Sequence, residues 1–304
     1  MQHFDTYTSF LNPIKRETDW ISAYIYIGFV QPTARPAIVR QVMQNVSKAV
    51  GAAVPFFYVS YADKIGSHLR LRMLSSTTLR RRRIMRTVRS FGEANGTRHQ
   101  SYRVRFVNYR PEYRRYGGSI HIAVSEAFFC ISSRWIVVNS DKLLVSYSKC
   151  IVCAAICMTI IVNLAFPNRS ERNSFLFGFR NNLFTPRTNP QDLSYSESLA
   201  ASAEAGWKRD RSAWISAIRQ GESAASGTAS SAAPFAEWAS SVSAFLAALK
   251  ESYVYNSDRD SIAQWRILSS IMHMHNNRLG LRNCDEALVC FCLYEYERDR
   301  IVEG

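Results

Sequence analysis

Three short segments of this sequence carry the residue types from which proton transfer on an acidic substrate could be assembled. They are His68-Leu69-Arg70-Leu71-Arg72, Tyr109-Arg110-Pro111-Glu112-Tyr113-Arg114-Arg115-Tyr116-Gly117-Gly118, and Ser270-Ile271-Met272-His273-Met274-His275-Asn276-Asn277-Arg278. Brought together, they would place fixed cations, a carboxylate and an imidazole around one pocket. Guanidinium groups hold carboxylates through paired hydrogen bonds, and an imidazole moves protons. Arg70 and Arg72 stand two apart in an alternating stretch, so they project from one strand face at a spacing that suits two carboxylates or both ends of one acidic side chain. Solvated strand faces often carry such charges. Here Glu112 and Arg115 favour a ligand, because they follow a strand and precede Gly117-Gly118, where the backbone can turn tightly toward it. His273 lies among Ile267, Leu268, Ile271 and Met272, a setting in which a lone histidine is more often a hydrogen-bonded core residue than a catalyst. His275 is about 200° round the helix from it, so only one of the two faces a given cleft. Arg278, about one turn beyond, is a further candidate for holding a bound anion.

The elements that must position these residues are legible as periodicities. Ala23 to Val30 is aromatic and β-branched, a strand ended by Pro32 and Pro36. Ile38, Val42, Val46 and Val50 repeat at helical spacing and Gly51 stops them. Val54 to Tyr61 is a second strand. Ser67 to Met73 is a third, with Leu69, Leu71 and Met73 on one face and His68, Arg70 and Arg72 on the other. A helix begins at Ser76-Thr77 and breaks at Asn95-Gly96, and Ser101 to Tyr109 is a fourth strand. The order β-α-β-β-α-β is the split βαβ, or ferredoxin-like, pattern of an antiparallel sheet. Beyond Gly118 the character changes. Ile120 to Val138, Asp141 to Ala165, Ser194 to Gln220, Phe235 to Glu251, Asp258 to Asn276 and Cys284 to Arg300 read as helices. Pro167 to Pro190 reads as an irregular segment rich in Asn, Arg and Phe, and Gly221 to Pro234 as a Ser/Ala/Gly linker. The fold class is α+β: a sheet part over 1–118, then a mostly helical half over 119–304, within a single domain of 1–304.

Composition bounds the chemistry. The chain of 304 residues is 47% hydrophobic, enough for a substantial core, and carries a formal charge of +14 from 38 Lys and Arg against 24 Asp and Glu. Its surface therefore attracts polyanions or acidic peptides. Arg80, Arg81, Arg82, Arg83, Arg86 and Arg89 form a basic helix, either a solvated face or a contact for RNA backbone or an acidic peptide. The seven cysteines lack a zinc spacing, so no metal is expected. Nor do phosphate loops, nucleotide fingerprints or nucleophile elbows occur, which leaves kinase, dehydrogenase and hydrolase readings without support. Cys150 to Phe166 is apolar but short for a bilayer span, and a buried core helix is expected instead. No secretory signal is apparent after Met1, which makes the cytoplasm the expected compartment.

At the motif residues the chain resembles the C-terminal elimination domain of LanB-type lantibiotic dehydratases and the stand-alone elimination proteins of thiopeptide biosynthesis. The resemblance runs through Trp20 to Tyr26, Phe56-Phe57 to Asp63, His68 to Arg72, Tyr109 to Gly118, Glu126-Ala127-Phe128-Phe129 and His273 to Leu279. It implies a lyase, without a cofactor, that removes glutamate from glutamylated Ser or Thr of a ribosomal precursor peptide to leave dehydroalanine or dehydrobutyrine. It also implies that His273, Arg72 and Arg115 are catalytic and that Arg70 and Glu112 bind substrate. Arg278 joins the substrate-binding set on position alone. At this length the chain is expected to be one half of a split system, with a separate tRNA-dependent glutamylating protein as partner. A homodimer, direct tRNA contact and the target of the basic helix stay open.

Two other readings compete. Thiopeptide pyridine synthases share the fold, joining two dehydroalanines by a formal [4+2] cycloaddition with release of the leader peptide. The arginine and histidine set favours elimination over that reaction, since its cations match a glutamate leaving group. A non-catalytic subunit that binds the leader peptide or the glutamylating protein is the third.

Overall fold

Alternating apolar and polar residues make strands that bury one face, and the N-terminal part of this chain builds a sheet on that rule. The computed structural model describes residues 19–95, 102–184, 190–228, 233–253 and 260–302. Four strands, β1 (Trp20–Tyr26), β2 (Phe56–Asp63), β3 (Gly66–Leu74) and β4 (Arg103–Val107), form an antiparallel sheet in the order β2-β3-β1-β4. Helices α1 (Arg35–Val50) and α2 (Thr78–Ala94) supply the two crossovers, so the split βαβ expectation holds. Thr77 caps α2, its hydroxyl accepting from the Arg80 N–H at 3.4 Å. The core lies between the sheet and these helices. Ile25, Leu69, Leu71 and Met73 from the strands meet Val42, Val46, Ile84 and Val88, and full burial of each such side chain stabilises by about 2 kcal/mol.

The chain divides into two compact units, residues 1–145 with 248–280 and residues 146–247 with 281–304. In the first, α3 (Ser119–Leu143) and α8 (Asp260–Leu279) pack on β2. The expected boundary after Gly118 is therefore not where this unit closes, because β2 needs those two later helices to cover it.

The second unit is built from α4 (Tyr147–Ala165), α5 (Arg169–Phe184), α6 (Pro190–Ser226), the first part of α7 (Ala233–Tyr253) and α9 (Asn283–Val302). Two sequence expectations fail here. Pro167 to Pro190 is not irregular: α5 fills most of it and buries Phe175, Leu176 and Phe179. Nor does Gly221 open a linker. A Cβ there would sit 2.6 Å from Thr159 Cβ, so glycine lets α6 approach α4 and the helix continues to Ser226. Arg172, buried, donates to Glu297 at 3.0 Å and to the Phe166 and Pro167 carbonyls that end α4. The 121–143 stretch of α3 and all of α4 are long and apolar enough to cross a membrane, yet most of each apolar stretch is buried in the fold.

Candidate active site

All five residues that the family resemblance marks fall in the first unit. On β3 the strand alternation turns His68, Arg70 and Arg72 away from the core, beside Tyr24 and Tyr26 of β1 and Phe57 and Tyr61 of β2. The Arg70 guanidinium lies 3.4 Å from the Tyr61 ring centre and 4.9 Å from that of Tyr24, and its Nε donates to His68 Nε2 at 3.3 Å. Burial lowers the pKa of His68, which keeps the ring a neutral acceptor. Aromatic stacking and this one bond thus hold Arg70 in place without an ion pair among the described residues.

Arg72 is set differently. Its guanidinium lies 5.6 Å from the Phe57 ring centre and 5.5 Å from that of Tyr109, with Nη1 donating to the Arg70 carbonyl at 3.0 Å. Burial pushes its pKa below the usual arginine value. Its buried Nε has no hydrogen-bond partner among the described residues, an unmet donor that an anion would satisfy. Tyr109 is fixed by Glu126, whose carboxylate accepts from the Tyr109 hydroxyl at 2.5 Å and from Trp20 Nε1 at 3.1 Å. Burial and that carboxylate hold the Tyr109 phenol far above its ordinary pKa.

The Glu112 to Gly118 segment closes on itself as a single turn. Arg115 and Tyr116 donate backbone bonds to the Glu112 carbonyl, and Gly118 donates to that of Tyr113. Gly117 and Gly118 take φ of 74° and 96°, and a Cβ on Gly117 would fall 2.9 Å from His121 Nδ1 and 3.1 Å from Ile267 Cδ1. Gly117 therefore lets the turn press onto α8, while Gly118 meets only the demand for a positive φ. There Arg115 Nε donates to Ser270 Oγ at 3.1 Å while Nη1 reaches Glu112 Oε2 at 3.3 Å. His273 is half-buried three residues beyond Ser270 on the same helix, about 4.5 Å further along its axis. Glu112 also contributes to the field at Arg72.

Arg278 is buried rather than exposed. It is 1% exposed, donates from Nε to the Tyr58 carbonyl at 2.8 Å and from Nη1 to Ser132 Oγ at 3.4 Å, and lies 4.8 Å from the Phe129 ring centre. Its side chain ties α8 to β2, while its buried Nη2, like Arg72 Nε, has no hydrogen-bond partner among the described residues. Its neighbour His275 is fully buried with Nδ1 2.9 Å from Ser132 Oγ, and burial, then the nearby Arg278, push its pKa down to about 3.

Sequence reading gave no role to Tyr24, Tyr61, Trp20, Glu126 or Ser270. The tyrosines left a trace in the alternation of β1 and β2. Glu126 left one too, a lone carboxylate in the apolar run from Ala127 to Ile131.

In the second unit a cavity of about 750 Å³ is lined by Trp207, Arg211, Glu222, Tyr296, Asp299 and Arg300. Two of its cations are engaged in ion pairs, Arg211 with Asp299 at 2.9 Å and Arg300 with Glu222 at 2.6 Å.

A family model described as lantibiotic biosynthesis dehydratase C-term matches residues 20–296. The chain belongs to this family. Among solved structures, the family member described here is similar to a pyridine synthase, TbtD, from thiomuracin biosynthesis, at 15% identity and a TM-score of 0.67 over 94% of this chain and 100% of that one. It is also similar to the tRNA-dependent lantibiotic dehydratase MibB from Microbispora sp. 107891, at 16% identity and a TM-score of 0.61, with 96% of this chain aligned to 29% of that one. A third likeness is to TsrL, at 12% identity and a TM-score of 0.65 over 92% and 96% of the two chains. These likenesses establish a shared fold. No curated protein sequence matches the chain.

Proposed function

We propose that this protein eliminates glutamate from glutamylated Ser or Thr residues of a precursor peptide, leaving dehydroalanine or dehydrobutyrine. The observation that carries the reading is the contact of Arg115 with Ser270, which seats a guanidinium and Glu112 one helical turn from His273. Arg70 and Arg72 share one strand face, and Glu112 bears on the field at Arg72.

The chemistry suits these groups. The α-proton of an acylated Ser or Thr is weakly acidic, so its removal needs a base and a field that stabilises the developing enolate. His273 takes that proton. The electron pair closes the Cα–Cβ double bond, the Cβ–O bond breaks, and its pair departs on the glutamate carboxylate. Arg72 and Arg115 bind the glutamyl carboxylates or the enolate, and Arg70 and Glu112 orient them. The glutamyl ester would come from a separate tRNA-dependent protein. Incubating His273→Ala with glutamylated peptide should leave that peptide to accumulate, with elimination slowed about 100-fold or more. Elimination at the wild-type rate would remove His273 from the mechanism.

A second reading is a [4+2] pyridine-forming synthase, favoured by the full-length coverage of TbtD. Mass spectra after separate incubations with glutamylated and with fully dehydrated peptide distinguish the two: loss of glutamate from the first marks elimination, release of a macrocycle from the second marks cycloaddition.

A further inference from the structure

We infer that the outer edge of β4 is a docking site for an extended acidic peptide segment, which joins the sheet as a fifth strand. The inference goes beyond the reaction proposed above and does not depend on it.

The main-chain pattern supplies the first argument. In an antiparallel sheet, successive residues of a central strand hydrogen-bond alternately to its two neighbours. The Ile27 N–H bonds the Ser67 carbonyl and the Ser75 N–H bonds the Asp19 carbonyl, so odd residues of β1 face β3. Even residues Ser22, Tyr24 and Tyr26 therefore face β4, where their partners are Val107, Arg105 and Arg103. That leaves the N–H and C=O groups of Val104 and Phe106 directed outward, with no hydrogen bond from any described residue. A row of such groups is a template for another strand.

Charge identifies the occupant. Arg103 and Arg105 are exposed, two residues apart, on the sheet face that also carries His68, Arg70 and Arg72, since Tyr26 pairs with both Arg103 and His68 and Tyr24 with both Arg105 and Arg70. Neither has an ion-pair partner among the described residues. On the other side of the edge, the exposed Arg89 of the basic helix α2 lies 5.8 Å from the Phe106 ring centre. A peptide strand added beside β4 would present every second side chain to Arg103 and Arg105, so acidic residues at that period meet both cations while the backbone satisfies Val104 and Phe106. A cavity of about 440 Å³ at the end of this edge, lined by Ile21, Arg81, Met85, Phe106 and Arg110, offers room for one anchoring side chain. RNA would use the cations but leave the outward main-chain groups unmet, which is why a peptide fits better.

The test uses the full chain and a short fluorescent peptide with glutamate at every second position among valine and threonine, followed by anisotropy at low salt. Binding should weaken at least about tenfold in Arg103→Glu/Arg105→Glu, whose thermal unfolding should match the wild type. In a second arm the peptide itself is altered, so no variant has to fold. N-methylation of alternate backbone nitrogens in one register should abolish binding, and in the other register should spare it. Indifference to both changes overturns the site. Equal competition by an oligouridylate through the same arginines assigns the edge to RNA instead, and self-association lost in the same double variant assigns it to a second copy of the chain; either outcome overturns the peptide.

Discussion

The two edges of the sheet are treated in opposite ways. On β2 the outward main-chain groups of Tyr58 and Ser60 are met by side chains: Ser133 Oγ accepts from the Tyr58 N–H at 3.2 Å, and Arg278 donates to the Tyr58 carbonyl. Asn277 then bonds both the N–H and the carbonyl of Ser60, at 2.7 and 3.0 Å, as a neighbouring strand would. On β4 the equivalent groups of Val104 and Phe106 find no such partner among the described residues. Along the 273–278 segment, Asn277 and Arg278 close an edge, while His273 stands one helical turn beyond the Ser270 that meets Arg115. The contrast shows that a sequence motif can be mostly architecture. Without the Arg278 Nε, β2 would keep an unmet buried carbonyl at Tyr58.

Breaking the closed edge should cost most. Arg278→Ala leaves the Tyr58 carbonyl and Ser132 without their partner and opens a cavity under Phe129, so urea unfolding of this unit should lose about 3–5 kcal/mol. Acid attacks the same edge through His275. Its folded pKa, about 3, lies below the unfolded value, so the unfolded chain binds more protons between those two values. The stability it contributes is fully present above the unfolded pKa and falls as pH drops, by about 3 kcal/mol at pH 4. Unfolding free energies measured from pH 7 to pH 4 should show this slope, and His275→Gln should flatten it.

Asn277→Ala should cost about 1–3 kcal/mol and speed exchange of the Ser60 amide, because two backbone groups lose their partner together. At the open edge, Arg103→Ser with Arg105→Ser should change the same unfolding free energy by less than about 0.5 kcal/mol. A loss there as large as that at Asn277 would mean that β4 is closed like β2.

Much of the sheet was legible because its signal is local. Alternation at Ser67 to Met73 sets which side chains face the core, and the Thr77 cap and the Gly117-Gly118 pair mark a start and a turn that depend only on neighbouring residues. Boundaries were less legible. The first strand begins at Trp20 and ends at Tyr26, earlier than its aromatic composition suggests, because Gly28 at φ 61° breaks it. The second strand runs on to Asp63 because the hairpin with β3 extends the pairing. The helix break expected near Val138 falls instead before Tyr147, where the Ser146 hydroxyl caps α4 by accepting from the Lys149 N–H.

The sequence by itself determined that Arg70 and Arg72 share a strand face, that a tight glycine turn follows Glu112 and Arg115, and that the chain is strongly basic. Only the tertiary structure decided that Arg115 meets Ser270, that Glu126 fixes Tyr109 beside Arg72, and that Arg278 is buried under β2. Periodicity reports which way a side chain points within its own element, but the partner it finds is set by how distant elements pack. A buried cation and a ligand-facing one can therefore look identical until the residues that surround them are known.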